Sequence, residues 1–343
     1  MNILCTGGAG YVGSAALRWL LKNGHNPVAF DDLSLGNRAA VPGAEDEKRL
    51  VVGDILDRNA LVSALREHEV EAVMHFAALA SVPDSINDPE SYWRVNVLGT
   101  KTVLDAMVEC GVKLILFSST AATYAFTDEM PLTEASPQGP QVPYGTTKFA
   151  AERLIEDYAR AHELGYTHLR YFNASGADPD GNFGESRSSE SHLIPLTLYV
   201  ATGRREKLLI FGGDWPTRDG TCVRDYVHTD DLAQAHQLAI ESLKPGMGRA
   251  YNIGSGTGTS VKEVLEACEE VVGRPIAHEV VDRRPGDPAT LVASPEKLER
   301  ELDWKPRHPA IRSIVETAWR WHQRHPDGFA RVVTQCPGTE SSE

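Results

Sequence analysis

The glycines that follow the first apolar segment restrict the fold more than any other feature of the chain. Residues 2–6 are mostly apolar and are followed by Gly7, Gly10 and Gly13, after which apolar residues recur at helical spacing up to Asn23. A strand that turns this tightly into a helix needs glycine, and the turn lets the backbone approach a pyrophosphate. The first helical turn also offers free N–H groups and the positive end of its dipole. The pattern is therefore typical of dinucleotide binding, although alone it is equally compatible with a purely structural turn.

Short apolar segments and helix-like segments continue to alternate as far as residue 171. Strands that alternate with helices predict an α/β fold, a doubly wound parallel Rossmann sheet. Short, continuously apolar strands indicate a sheet that is covered on both faces. The strand-like segments are 2–6, 28–31, 50–52, 72–77, 112–117 and 167–171, and the helix-like segments are 11–23, 89–110 and 144–164.

The composition of the chain changes after residue 173. Residues 176–191 are rich in Gly, Ser, Asp and Pro, which predicts a long loop that closes over a ligand. We predict a Rossmann domain over residues 1–175 and a smaller C-terminal α/β lobe over residues 176–343. A segment near 225–250 is expected to return to the first domain.

Two local signals refine the C-terminal lobe. Ser260 and Glu263 have the spacing of a capping box and predict that a helix begins there. Residues 337–343 are predicted to form a loose tail.

Charge and cysteine usage narrow the classes of function. The net charge of −14 disfavours a nucleic-acid partner and an anionic membrane surface. It does not exclude a small phosphate-bearing ligand, which needs only a few local arginines. The scattered cysteines lack a C-x-x-C pair, and we find neither a signal-peptide pattern nor a membrane-length apolar run, so we expect a cytoplasmic protein. The cysteines are Cys5, Cys110, Cys222, Cys268 and Cys336.

Acidic residues end the second and third strand-like segments. Asp31 stands where a carboxylate binds the adenosine ribose diol and repels a 2′-phosphate, which favours NAD over NADP. Asp54 has two open interpretations, a contact near the adenine or an ordinary turn residue.

Tyr144 and Lys148 are four residues apart at the start of a predicted helix, so both side chains point towards one site. A tyrosine with an ordinary pKa near ~10 is a poor base, and a nearby ammonium lowers that pKa. Such a tyrosine can exchange a proton with a hydroxyl while NAD takes a hydride. Thr120 follows the fifth strand-like segment and is our third catalytic candidate, since ligands bind beyond the carboxyl ends of such strands. The alternative is a Ser/Thr-rich loop that caps the strand.

These residues, together with further motifs, resemble the extended short-chain dehydrogenase/reductase family and, within it, the nucleotide-sugar 4-epimerases. The resemblance covers nearly the whole chain, and the last five of its motifs are not general to Rossmann proteins. The motifs are Gly7–Gly13, Phe117–Thr120, Tyr144 with Lys148, Arg170–Asn173, Ser191–Pro195, Asp219–Gly220, Val223–His228 and Arg283–Asp287.

The resemblance implies an isomerase that interconverts UDP-galactose and UDP-glucose through a 4-keto intermediate, with transient hydride transfer to tightly bound NAD. It implies that Thr120, Tyr144 and Lys148 are catalytic. The implied cofactor contacts are Gly7, Gly10, Tyr11, Val12, Gly13, Asp31, Asp54, Ile55, Phe76, Ala77, Asn96, Ser118, Tyr144, Lys148 and Tyr171. The implied UDP-sugar contacts are Thr120, Asn173, His192, Leu193, Leu209, Phe211, Arg224, Tyr226, Arg284 and Asp287.

The residue types suit these roles. Arg224 and Arg284 can neutralise a diphosphate, although a lone arginine is more often part of a surface ion pair. Phe211 can stack near uracil, and Asp287 can accept ribose hydroxyls. His192 stands at a position where some family members have asparagine.

Several alternatives remain open at this point. UDP-N-acetylglucosamine or a UDP-pentose is a possible substrate, although Leu291 stands at a family gate position and favours sugars without an acetyl group. A dehydratase is disfavoured because Ala121 and Ala122 replace the acidic pair that elimination needs. A non-catalytic dinucleotide sensor is disfavoured by the intact tyrosine and lysine.

Metal binding and assembly complete the expectations. The histidines are scattered without a complete ligand pattern, so we expect no metal. The resemblance suggests a homodimer formed through the helices near residues 89–110 and 144–164, although their apolar faces could equally be buried within one chain.

Overall fold

The computed structural model describes residues 1–44, 48–187, 190–284 and 286–329. The predicted tail at 337–343 and Cys336 lie outside the described residues. The helices are α1 (Tyr11–Lys22), α2 (Arg58–Glu67), α3 (Val82–Asn87), α4 (Pro89–Tyr92), α5 (Thr100–Cys110), α6 (Pro143–His162), α7 (Leu193–Ala201), α8 (Thr229–Ser242), α9 (Val261–Val272), α10 (Glu296–Leu302) and α11 (Ile311–Arg324). The strands are β1 (Asn2–Thr6), β2 (Asn26–Asp31), β3 (Leu50–Val52), β4 (Ala72–His75), β5 (Leu114–Thr120), β6 (Gly165–Tyr171), β7 (Asn173–Ser175), β8 (Leu208–Phe211), β9 (Val223–Arg224), β10 (Tyr226–His228), β11 (Gly248–Ile253), β12 (Thr259–Ser260), β13 (His278–Val281) and β14 (Thr290–Leu291).

A seven-stranded sheet forms the centre of the molecule, in the order β11-β6-β5-β4-β1-β2-β3. Each neighbouring pair in this sheet is parallel. The predicted α/β doubly wound Rossmann sheet is therefore confirmed. All the carboxyl ends of its strands lie at one edge, where ligands of such sheets bind.

Two apolar cores cover the faces of this sheet. On one face Leu17 and Leu20 of α1 pack with Leu232 of α8. On the other face α2, α5 and α6 cover the sheet, with Leu61 and Leu104 fully buried. Burial on both faces explains why the strands are almost continuously apolar.

The C-terminal part of the chain contributes smaller pieces to the fold. Strand β8 pairs with β13, while β9 pairs with β12 and β14. Helices α7, α9 and α11 pack around them in a third core. Strand β11 joins the central sheet and α8 packs against α1. The domain boundary at residue 175 stays a prediction.

Two elements differ from the sequence expectations. The segment expected as one helix over 89–110 contains a π-helical stretch, Trp93–Gly99, between α4 and α5. Strand β5 runs on to Thr120, because residues 118–120 pair with residues 169–171 of β6. Ser118, Ser119 and Thr120 are therefore the end of the strand, not the loop after it. Polar side chains hid this extension from an interpretation based on apolar runs.

The capping box at the start of α9 is confirmed, with both reciprocal bonds between Ser260 and Glu263 present. In the described part of the chain, no helix combines the length and the apolar character that a bilayer crossing requires.

Candidate active site

The turn between β1 and α1 can be formed only by glycine at two positions. Gly7 has φ +71°, and a Cβ atom there would lie 2.5 Å from the backbone nitrogen of Ala77. A Cβ atom at Gly13 would collide with the carbonyl oxygen of Gly7. Both collisions involve backbone atoms, which cannot move aside without opening the turn.

The N-terminus of α1 fits a phosphate-bearing cofactor. Gly10 is the N-cap residue and supplies no side-chain cap, so the first N–H groups of the helix face outwards from the turn. A helix terminus of this kind binds anions through its free N–H groups and its dipole. The residues of the turn therefore fit the pyrophosphate of a dinucleotide, with Tyr11 and Val12 in the first turn.

Asp31 lies at the end of β2, beside this turn. Its Oδ2 accepts a hydrogen bond from the nitrogen of Ala9 at 2.9 Å, and its Oδ1 accepts one from the nitrogen of Leu33 at 2.9 Å. Burial raises the pKa of Asp31, while these two N–H groups lower it. The carboxylate is thus held in a fixed orientation, as recognition of a ribose diol requires.

The other predicted adenosine contacts differ in environment. Ile55 is buried against Gly99. Asp54 is exposed, and its Oδ1 accepts a hydrogen bond from the nitrogen of Leu56 at 2.8 Å. This bond is typical of a turn residue, and the contact of Asp54 with the adenine stays a prediction.

Asn96 is buried in the π-helical stretch. Its side chain exchanges two hydrogen bonds with the backbone of Leu79, at 2.8 and 3.0 Å, and donates a third to Oγ1 of Thr147 at 3.1 Å. Asn96 therefore fixes the segment after β4, which carries Phe76 and Ala77, against the helix of Tyr144.

A buried polar chain that the sequence did not reveal runs behind this segment. Nδ1 of His75 lies 2.6 Å from Oγ1 of Thr6, and Nε2 lies 2.9 Å from Oγ1 of Thr100. Thr100 donates its own hydroxyl to the carbonyl oxygen of Asn96 at 2.6 Å. Thr100 must then accept from Nε2 of His75, so we assign the neutral imidazole with its proton on Nε2. Burial, and secondarily the charge of Lys148, lowers the pKa of His75 to about 3, which keeps it neutral.

The three predicted catalytic residues meet at the carboxyl edge of the sheet. Thr120 ends β5, while Tyr144 and Lys148 occupy successive turns of α6. Thr120 lies close enough to the phenol of Tyr144 to lower its pKa. Gly145 makes this approach possible, because a Cβ atom there would collide with the carbonyl oxygen of Ala122 in the turn after Thr120.

The electrostatics of this group differ from the sequence expectation. Burial lowers the pKa of Lys148 to about 7, so its ammonium is lost before a phenol would ionise. Burial raises the pKa of Tyr144, and the lowering influences are the side chain of Thr120 and the charge of Arg187. The expected lowering by Lys148 is therefore not what this structure shows. Arg187 was missed because it lies in a loop without any motif.

Ser118, Phe76 and Tyr171, three predicted cofactor contacts, surround His236 of α8. The ring of Phe76 lies 4.9 Å from that of His236, and the ring of Tyr171 lies 6.2 Å from it. Oγ of Ser118 is 3.4 Å from Nε2 of His236. Because His236 comes from a distant helix, sequence spacing could not place it here.

A cavity of about 210 Å³ begins at Asn173, two residues after Tyr171, the strand partner of Thr120. Nine of the ten predicted UDP-sugar contacts line it, and the tenth, Thr120, does not. The nine are Asn173, His192, Leu193, Leu209, Phe211, Arg224, Tyr226, Arg284 and Asp287. Cys222 also lines the cavity and was not predicted.

Two cationic groups and one aromatic ring define the polarity of this cavity. The guanidinium of Arg284 lies 4.3 Å from the ring centroid of Phe211. Nη2 of Arg224 lies 3.8 Å from Oδ1 of Asp287. Arginines of this kind suit a diphosphate, and the aromatic ring suits a planar base.

His192, at the rim, is tied to buried acids. Its Nδ1 lies 2.7 Å from Oε1 of Glu185 and 3.4 Å from Oε1 of Glu190. Burial works to lower the pKa of His192, but the charge of Glu185 outweighs it and the pKa rises to about 9. His192 is therefore protonated at neutral pH.

Two clusters in the described part of the chain bring three potential metal ligands together. In the first, Nδ1 of His228 accepts a hydrogen bond from the nitrogen of Asp230 and Nε2 lies 3.0 Å from Oγ1 of Thr317, so both ring nitrogens are engaged. In the second, protonated His192 pairs with Glu185 and Glu190. In the first cluster the ring nitrogens of His228 are thus occupied by hydrogen bonds, and in the second the acids are occupied by His192.

Comparison with known proteins places this site in a family. The profile of the NAD dependent epimerase/dehydratase family matches residues 3–254. The chain belongs to that family of NAD-dependent enzymes.

Individual relatives are more specific. The chain is 52% identical over 319 residues to the UDP-glucose 4-epimerase of Corynebacterium glutamicum, covering 93% of this chain and 95% of that protein. It is 47% identical over 331 residues to the UDP-glucose 4-epimerase of Halalkalibacterium halodurans, covering 96% and 98% of the two chains. The solved UDP-glucose 4-epimerase of Bifidobacterium longum, in complex with NAD⁺ and UDP, superposes with a TM-score of 0.91 at 34% identity, covering 96% and 100% of the two chains.

Proposed function

We propose that this protein is a UDP-glucose 4-epimerase, an isomerase that interconverts UDP-galactose and UDP-glucose. One observation carries the proposal. Thr120 and Tyr144 lie at the carboxyl edge of a Rossmann sheet, and Thr120 pairs in register with Tyr171, two residues before Asn173 in the lining of the cavity that carries Arg224, Arg284 and Phe211. That arrangement places a proton-transfer group next to a site for a nucleoside diphosphate. Relatives over nearly the full length of the chain, at 42–52% identity, carry the same activity in their names.

The protein residues supply proton transfer and orientation. Tyr144 takes the proton from the 4-hydroxyl of the sugar, while Thr120 donates to or accepts from the same oxygen. The chemistry that bound NAD supplies is the reversible acceptance of a hydride from the sugar. Because the cavity residues hold the UDP, the 4-keto sugar can rotate and receive the hydride on its other face.

Lys148 acts electrostatically in this scheme. Within the described residues its ammonium makes no hydrogen bond, and its Nζ lies 4.1 Å from the ring centroid of Phe117. An ammonium that is both buried and unbonded is available to a cofactor hydroxyl.

The residues of the substrate cavity hold the UDP part of the substrate in place. Arg224 and Arg284 neutralise the diphosphate, Phe211 stacks on uracil and Asp287 accepts ribose hydroxyls. Since Arg284 covers Phe211 in this structure, substrate binding requires that this guanidinium moves from the ring face towards the phosphates.

The preferred sugar is tested by product chromatography. Purified protein is incubated separately with UDP-galactose, UDP-N-acetylgalactosamine and UDP-xylose, without added NAD. Leu291 is half-buried in β14 and is not among the described residues that line the cavity, so the preference for a sugar without an acetyl group rests on the family resemblance. We expect conversion of UDP-galactose alone. Conversion of another sugar would retain the mechanism and change the substrate, and no conversion even with NAD would contradict the proposal.

We also propose that the protein acts as a homodimer in the cytoplasm. Ile86, Trp93 and Leu98 are 60%, 43% and 54% exposed on α3 and the π-helical stretch, which is unusual for side chains of this size. A second copy is the occupant that best fits an apolar surface beside α5 and α6. The described cysteines are free thiols, as a reducing compartment favours.

A further inference from the structure

The buried acidic side chain of Glu152 has no part in the chemistry described so far. Helix α6 carries Tyr144, Lys148 and Glu152 at intervals of four residues, so the three side chains share one face on successive turns. Glu152 is fully buried, at 0% exposure. Buried carboxylates are rare unless they are paired, so this residue requires a physical reason.

Both oxygens of Glu152 carry two hydrogen bonds. Oε1 accepts from Oγ of Ser119 at 2.5 Å and from Nε of Arg170 at 2.9 Å. Oε2 accepts from Nη2 of Arg170 at 2.7 Å and from Nε2 of Gln138 at 3.0 Å. Burial works to raise the pKa of Glu152, but the charge of His168 and the bond to Arg170 outweigh it and the pKa falls to about 2. Glu152 is thus a fixed anion.

These bonds connect the helix of Tyr144 to the strand of Thr120. Ser119 precedes Thr120 directly in β5, and Arg170 lies opposite Ser119 in β6. Arg170 is held in turn by the hydroxyl of Tyr124, at 3.1 Å from Nη1. The distance between Tyr144 and Thr120 is therefore set partly by Glu152, from two turns along the helix.

The charge of Glu152 also acts on Lys148. Burial lowers the pKa of Lys148 to about 7, and the charge of Glu152 acts in the opposite direction. The other ionisable groups nearby are His75 of β4, which is neutral, and His168 and Arg170 of β6, whose charges act on Glu152. Because Lys148 titrates close to neutral pH, a single nearby negative charge decides whether it is protonated there.

We propose that Glu152 is a positioning residue for the epimerisation: it fixes the helix of Tyr144 against the strand of Thr120 and increases the protonated fraction of Lys148 at neutral pH. The proposal rests on the roles proposed above for Tyr144 and Lys148. It adds Glu152 to the residues that the reaction needs, and this residue belongs neither to the glycine turn nor to the tyrosine and lysine motif.

The first test measures the protonation of Lys148 without turnover. Protein labelled with carbon-13 at the lysine Cε is titrated by NMR, and the Lys148 signal is assigned by its loss in Lys148→Met. In Glu152→Gln the midpoint of Lys148 is expected to fall by at least about one pH unit, because the nearby anion is gone. The control is Asp157→Asn, which removes an exposed carboxylate of α6 that pairs with Arg160 and is expected to leave the midpoint unchanged. An unchanged midpoint in folded Glu152→Gln overturns the proposal.

The second test separates position from charge. Ser119→Ala keeps the carboxylate and its pair with Arg170 but removes the bond to β5. We expect its kcat to fall several-fold with KM, bound NAD and the Lys148 midpoint unchanged, whereas Glu152→Gln loses at least about tenfold in kcat. Native kcat in both variants overturns the positioning role.

Two outcomes need a further measurement: a Glu152→Gln variant that does not fold, and a native protein that converts no UDP-sugar. If Glu152→Gln does not fold, the variant E152Q/R170M removes both charges of the buried pair, a change that folded proteins often tolerate. Its Lys148 midpoint is expected to be lowered as well, and a native midpoint contradicts the proposal. If the native protein converts no UDP-sugar, the proposed function fails, while the lysine titration still decides the role of Glu152.

Discussion

At the scale of single residues, ionisation of Tyr144 is the critical event, and the surroundings of its side chain only partly favour it. Burial raises the pKa of Tyr144, and the side chain of Thr120 and the charge of Arg187 oppose that increase. Arg187 is itself anchored, with its Nε 2.7 Å from Oε1 of Glu185. Proton transfer therefore depends on groups that come from three separate segments of the chain.

Removal of the phenolic hydroxyl tests directly whether Tyr144 is the group that exchanges the proton. Tyr144→Phe keeps the ring and its edge contact with Tyr92 but cannot exchange a proton. We expect kcat to fall by about 10²–10⁴-fold, the usual contribution of a general base, with bound NAD unchanged. Turnover is measured with UDP-galactose, and NAD is measured after denaturation. Turnover within a few-fold of native would show that another group is the base.

His192 gives a prediction for stability against pH. Its folded-state pKa of about 9 lies above its ordinary value of 6.5. A raised pKa contributes stability that is fully present below pH 6.5 and is lost as the pH rises through 9. The melting temperature of native protein should therefore exceed that of His192→Gln below pH 6.5, and the difference should narrow above pH 9. A difference that stays constant across this range would mean that the ion pairs with Glu185 and Glu190 contribute nothing.

At the scale of elements, close backbone approach governs the cofactor end of the site. Helix α1 can begin directly after β1 only because Gly13 lies against the carbonyl of Gly7. Helix α6 similarly reaches the turn after Thr120 only because residue 145 is glycine. In both places the missing side chain lets a helix terminus face the ligand edge of the sheet.

A single methyl group should therefore disrupt the cofactor turn. Gly13→Ala forces the turn open and is expected to cost about 1–3 kcal/mol of stability and most of the bound NAD. Gly24→Ala is the control, since Gly24 has φ +81° but no atom of the described residues lies within 4 Å of the position that a methyl group would occupy. It should lower stability by about 1–2 kcal/mol through backbone strain and leave NAD in place. Equal NAD content in the two variants would contradict the role of the turn.

At the scale of the whole molecule, the cofactor turn and the substrate side are joined by direct contacts. The hydroxyl of Tyr11, in the first turn of α1, donates to the carbonyl oxygen of Gly176 at 2.5 Å. The cavity itself combines residues from Asn173 to Asp287. The catalytic edge is thus shared between the central sheet and the C-terminal part of the chain.

The proposed dimer is tested by a charge on its apolar surface. Leu98→Asp places a carboxylate where a second copy would bury leucine, so it should convert a dimer of about twice 37.5 kDa into a monomer. Val280→Asp, at a side chain that is 56% exposed on β13, is the matched control and should not change the mass. Light scattering during size-exclusion chromatography measures both. A native mass of one chain would contradict the dimer.

Much of the fold and part of the site are encoded in short stretches of sequence. The positions of β1 and α1, the glycine turn and the spacing of Tyr144 and Lys148 depend on residues within about two helical turns of each other. Local steric and periodic rules act at that range, so these features could be predicted. The resemblance to a family added the cavity residues, because motifs such as 223–228 and 283–287 are not explained by secondary structure alone.

Contacts between distant segments decided the rest. The pairing of Glu152 with Arg170 and Ser119, the assembly of aromatic rings around His236 and the influence of Arg187 on Tyr144 each join residues from different elements. The pKa of Lys148 is also a property of the packed molecule, because burial between α6 and β5 removes the water that would otherwise stabilise its charge. Spacing along the chain placed the candidate catalytic lysine, whereas only the packed fold could set its pKa close to neutral.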